Sequence, residues 1–79
     1  MMGQNPVESS TETVAVQFNG QPRAFSVGTT VAGMIAQLGL QGRPVAVEVN
    51  HAVVPRRLHD ERVLEDGDRI ELVTLVGGG

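Results

Sequence analysis

The chain has no cysteine, no lysine, no tryptophan and no tyrosine. Without cysteine there is no disulfide, no zinc ribbon and no thiolate nucleophile. Without lysine there is no phosphate-binding loop of the GxxxxGK[ST] type, so the chain has no such means of activating a substrate with ATP. Phe18 and Phe25 are its only aromatic residues, and a core must be built from aliphatic side chains, valine foremost. Nine acidic residues against six basic ones, all arginine, leave a net charge of −3, against the broad basic surface that nucleic acid binding needs. No apolar run approaches the ~20 residues of a membrane span, and the N-terminus has no signal-peptide core. What remains is a soluble, cytoplasmic protein of 79 residues, a length that fits one small domain. Such a chain has little room to enclose a substrate and keep it dry, which favours a protein that presents something to larger partners over an independent enzyme.

Residues 1–12 are polar and lack an apolar period, and read as a disordered leader. From Thr13 to Phe18 the pattern alternates, with Val14, Val16 and Phe18 on one face. Asn19-Gly20 supplies the positive φ angles of a tight hairpin, and a second strand over 22–27 places Phe25 and Val27 together. Thr30 is a good N-cap for a helix whose stripe is Val31, Met34, Ile35 and Leu38. Gly39 suits the left-handed position that ends such a helix, with Leu40 as its apolar contact. Period two returns in Val45, Val47 and Val49, then in a short run that stops at Pro55. Residues 56–65 read as a polar loop tacked down by Leu58, Val63 and Leu64, and Asp66-Gly67-Asp68 as a turn. A last strand from Arg69 runs to Val76 and straight into Gly77-Gly78-Gly79.

This order predicts an α+β domain over 13–76: a mixed sheet of four to five strands with one main helix on one face and the other face open. A hairpin followed by a crossover helix leaves the final strand free to pair beside the first, the β-grasp arrangement of ubiquitin-like domains. The rival ferredoxin-like topology needs a second helix, for which 56–65 is a poor source.

The chemistry points to the tail. Glycine has no Cβ, so Gly77 and Gly78 can thread a narrow slot and leave the Gly79 carboxyl sterically bare. Three residues extend at most ~10 Å beyond the last strand, enough to enter another protein's active site. At neutral pH the free end is a carboxylate, a poor electrophile until an adenylate makes its oxygen a leaving group. Since nothing here binds ATP for that purpose, activation must come from a partner. A frayed terminus is the plain alternative. Val73 and Leu75, expected outward on the open face beside the tail, form a docking patch in this reading, ordinary exposed residues in the other. Arg56-Arg57 has the charge to steer an acidic partner, although a solvated pair is the default; Val73, Leu75 and Arg56 are the nominated docking residues.

Taken in order, the Asn19-Gly20 hairpin, Thr30-Val31, Val49-Asn50, Val54-Pro55-Arg56, Asp66-Gly67-Asp68-Arg69-Ile70-Glu71 and the terminal glycines resemble the ThiS family over about residues 13–79. The resemblance implies a ubiquitin-like sulfur carrier of thiamine biosynthesis, a co-substrate and not an enzyme. An E1-like adenylyltransferase of the ThiF type would adenylate Gly79 with its own ATP, the carrier itself binding no cofactor. A cysteine desulfurase or other persulfide donor would supply sulfur for a thiocarboxylate. A thiazole synthase of the ThiG type would consume it. Gly78 and Gly79 match the family's diglycine, and Gly77 is an extra glycine. Leu58-His59 stands where many members carry tryptophan or tyrosine.

The related carrier of molybdopterin synthase reaches its diglycine through a Pro-Pro segment that Val73-Thr74-Leu75-Val76 lacks. Carriers for tRNA thiolation or cysteine synthesis share the chemistry, and a plain interaction module is the alternative of another class. His51 and His59 lack metal-ligand spacing and read as exposed loop residues; no catalytic or metal site is expected.

Overall fold

A computed structural model describes residues 12–76; nearly all of the expected leader and the whole of the glycine tail lie outside the described residues. The first alternating segment forms strand β1, Thr13–Phe18, and a two-residue turn sends the chain back as β2, Gln21–Ser26. Asn19 (φ 49°) and Gly20 (φ 82°) both take the left-handed angles that give a hairpin the twist of its strands. Val14, Val16 and Phe25 are buried, as the alternation requires. Val27 does not join them. Thr29 N–H bonds the Ser26 carbonyl at 3.0 Å and Gly28 turns with φ 95°, so the strand ends one residue early and Val27 is 58% exposed.

The helix α1, Val31–Gln37, is short and capped by local residues at both ends. Thr30 Oγ1 accepts from Gly33 N–H at 3.0 Å. At the other end Gly39 (φ 77°) donates to Ala36 O and Leu40 to Ile35 O, both at 3.0 Å, the paired bonds of a Schellman cap. Val31, Met34 and Ile35 are buried against the sheet, with Leu38 and Leu40 packed at the margin. Burial holds a helix too short to persist alone.

Strand β3, Val45–Val49, buries Val47 and Val49 and turns through Asn50 and His51 into the two-residue β4, Ala52–Val53. A 3₁₀ turn over Arg56–Leu58 follows, and β5, Arg69–Thr74, completes a five-stranded sheet of order β2-β1-β5-β3-β4. β5 lies in the middle, parallel to β1 and antiparallel to β3, with Ile70 and Leu72 turned into the core. This is the mixed sheet and single helix of the expected β-grasp fold.

The 56–65 segment is less loop-like than expected. Leu64 is buried, but Leu58 and Val63 stay near the surface. His59, expected to be exposed, is buried: its Nε2 lies 3.0 Å from the Val54 carbonyl and its own carbonyl accepts from Ala32 N–H at 2.8 Å. The segment is stitched to the helix start, where Val31 N–H bonds Arg62 O and Leu64 N–H bonds Thr29 O. Such a seam needs His59 inside.

Candidate functional site

The region of interest is the end of β5, where the chain leaves the sheet for the glycines. Its geometry is set by how the strand is held. At the entry, Asp68 is buried and its carboxylate collects Glu65 N–H at 2.8 Å, Asn50 Nδ2 at 3.0 Å and the Arg62 guanidinium at 3.3 Å. Burial opposes ionisation of Asp68, yet these bonds from Glu65, Asn50 and Arg62 and the Arg62 charge outweigh it and hold the carboxyl below its ordinary range. Asn50 also accepts from Arg69 N–H at 2.9 Å through its side chain and donates its own N–H to Arg69 O at 2.7 Å. Asp66 adds a bond from Ala15 N–H at 2.7 Å. The Asp66-Gly67-Asp68 turn is thus also a polar anchor that welds the start of β5 to β1 and to the β3–β4 turn.

Toward its exit the strand is held by fewer partners. Ile70 pairs with Phe18 of β1 and Val49 of β3, and past that point β1 turns away. Asn19 carries the contact two residues further along β5, its side-chain amide accepting from Leu72 N–H at 2.8 Å and donating to Leu72 O at 3.1 Å. On the β3 side the pairing runs on to Thr74 opposite Val45, and Leu75 N–H reaches Pro44 O at 2.9 Å. Val76 is then 91% exposed.

The nominated docking residues fall in two places. Val73, 57% exposed, lies on the open sheet face opposite Ala46, next to Glu71, which faces Glu48 across the ladder, with exposed Val53 close by. Leu75, 51% exposed, departs from the open-face expectation: beyond the end of β5 it lines a hollow of about 420 Å³ with Ala32 and Ile35 of the helix, Pro44, Arg43 and Arg56. The pleat that put Val73 outward no longer governs a residue past the strand. Leu75 and Arg56 therefore share one surface, and Val73 belongs to another. Gly77, Gly78 and Gly79 lie outside the described residues.

Reading the residues missed Asn19 and Asn50 as clamps on β5. Asn19 was visible as a turn residue, but its partner is 53 positions away. Asn50 begins a second left-handed turn, φ 53° followed by His51 at 70°, whose signal is weakened because histidine stands where glycine usually does. Among the described residues no group of three metal-ligating side chains gathers, and no helix is long and apolar enough to cross a membrane.

Comparison with known proteins fits this frame. The chain is 41% identical over 61 residues to a thiazole synthase of Paramagnetospirillum magneticum, a match that takes in 77% of this chain and 19% of that protein. It thus spans about a fifth of the length of the thiazole synthases it matches. To the sulfur carrier protein ThiS of Escherichia coli it is 31% identical over 64 residues, which cover 81% of this chain and 97% of the relative. The crystal structure of the thiamine biosynthesis protein ThiS from Geobacter metallireducens superposes with a TM-score of 0.71 at 29% identity, over 84% of this chain and 100% of that one. The ThiS family model matches residues 16–79, from β1 through the three glycines. The chain belongs to the ThiS family.

Proposed function

We infer that this chain is a sulfur carrier of thiamine biosynthesis, a protein co-substrate whose Gly79 carboxyl is the group that is changed. The observation that carries the reading is that the family match runs through residue 79, taking in the glycines that follow β5. An E1-like enzyme of the ThiF type converts the carboxylate to an acyl-adenylate with release of pyrophosphate. The persulfide of a cysteine desulfurase or another donor then attacks the adenylate and displaces AMP to give an acyl disulfide. A thiol reductant cleaves its S–S bond, which leaves the end of the chain as a thiocarboxylate and the donor sulfur in a new disulfide. Similarity to proteins named thiazole synthase supports a ThiG-type synthase as the acceptor. The chain contributes position and access: a fixed strand end, and two glycines before the reacting residue that add no side chain to the path. ATP is bound by the activating enzyme.

Intact-mass measurement after incubation with a ThiF-type enzyme, ATP and a sulfur source tests this directly. The expected product gains the difference between sulfur and oxygen, localised to Gly79 by fragmentation, and ATP–pyrophosphate exchange depends on the chain. One residue appended after Gly79 abolishes both, and Gly79→Ala impairs adenylation while leaving the fold intact. A chain that binds the enzyme and is never modified is an interaction module instead, and the reading falls.

A further inference from the structure

Asn19 does a job that the turn alone does not require. The last parallel pair between β1 and β5 is Phe18 with Ile70, and Asn19 N–H still reaches Ile70 O at 2.8 Å. The next β5 residue looking toward β1 is Leu72, where β1 has no backbone left to offer. The Asn19 side chain fills that place. A primary amide carries one acceptor and two donors, so it can mimic a peptide unit, and here it meets both the N–H and the C=O of Leu72. Leu72 is buried, and water would be a poor substitute for either bond. Beyond Leu72 the described chain is tied on its β3 side only.

We propose that Asn19 is a positioning residue for the tail: by fixing Leu72 on the β1 side, it sets the direction in which the chain leaves the sheet after Val76. This rests on the reading of Gly79 as the activated group. An activating enzyme that grips the domain must find the carboxylate at the end of a short strap, and a loose Leu72 spreads that end over a larger volume. Fewer bound complexes then hold the reacting atoms in line, while Val73 keeps its register with Ala46 and the docking face is unaltered. The loss therefore falls on kcat and spares KM.

The test uses three variants of the full chain. Asn19→Gly keeps the left-handed turn and removes both side-chain bonds; Asn19→Asp keeps the acceptor and loses the donor. Thr30→Ala removes the helix cap and controls for lost stability. Backbone amide exchange and order parameters are measured over Leu72–Val76, alongside the kinetics of ATP–pyrophosphate exchange. In Asn19→Gly, Leu72 N–H exchanges roughly tenfold faster and kcat falls by about as much, the order of one lost hydrogen bond, with KM unchanged. Order parameters over Val73–Val76 drop with them. Asn19→Asp falls between, and Thr30→Ala moves none of these. The proposal is overturned if order parameters at the strand end are unchanged in Asn19→Gly or fall equally in Thr30→Ala. It is overturned equally if kcat holds while Leu72 loses protection. Should the wild-type chain support no exchange with the activating enzyme, it is the adenylation reading that fails, and the order parameters alone decide whether Asn19 directs the exit.

Discussion

The two halves of β5 are built differently. From Arg69 to Leu72 the strand is held on both sides, by β3 throughout and by β1 as far as Ile70 with the Asn19 side chain at Leu72. It buries Ile70 and Leu72 and begins at a buried carboxylate with three kinds of donor. At Val73 and Thr74 it has a neighbour on one side only, and from there through Val76, beyond the strand, the side chains are exposed. One strand thus serves as anchor at its entry and as a presenting arm at its exit. The proposed carrier role needs both, because an end that visits other proteins must be accessible without loosening the core from which it grows.

That contrast can be tested by substitution. Ile70→Ala, in the anchored half, should lower unfolding free energy by about 2–5 kcal/mol in a urea titration, the usual result of emptying a fully buried aliphatic site. Asp68→Ala should cost about 1–3 kcal/mol, because Glu65 N–H, the Asn50 amide and Arg62 lose their acceptor. The pH dependence has a definite sign. The folded carboxyl titrates lower than the unfolded one, so the folded state resists taking up its proton. Its stabilisation is complete above the unfolded value of about 3.9 and is lost as pH falls toward the folded one. The wild-type advantage over Asp68→Ala in melting temperature should accordingly shrink below about pH 4.

At the exit, Val73→Asp should shift stability by at most about 1 kcal/mol, the span of strand propensity at an exposed position, while weakening affinity for the activating enzyme in a titration. A sharp fall in melting temperature with affinity intact would erase the division between the two halves. The smallest effect sharpens it from outside. A Cβ on Gly33 would meet Thr29 Cγ2 at 3.4 Å, ordinary contact, so Gly33→Ala should stabilise the helix by about 0.5–1 kcal/mol. Core amides should then exchange more slowly, with those of Leu75 and Val76 unmoved, since the exit opens locally.

Much of the frame was legible because its signals are local. Val14-x-Val16, Asn19-Gly20, Thr30 before Val31 and Gly39-Leu40 each declare their role within a few residues, and each stands as expected. The errors share a cause, which is that the deciding partner is distant or the turn residue unusual. Val27 fits an alternating pattern but is lost to the turn at Gly28. His59 looks like a polar loop residue until Val54 and Ala32 are seen to need it. Asp68 reads as turn chemistry, and its burial follows only when Asn50, 18 positions away, is brought beside it. At the site, outward Val73 could be read from the chain, whereas the parting of Leu75 from Val73 depends on where the strand stops.

The central place of β5 has a mechanical consequence. A pull on the C-terminal end of β5 runs along a strand wedged between two others, so the load is shared in shear by the bonds to β1 and β3 instead of unzipping them one at a time from a rim. In the proposed carrier role, that arrangement lets successive enzymes grip and release the molecule without peeling it open.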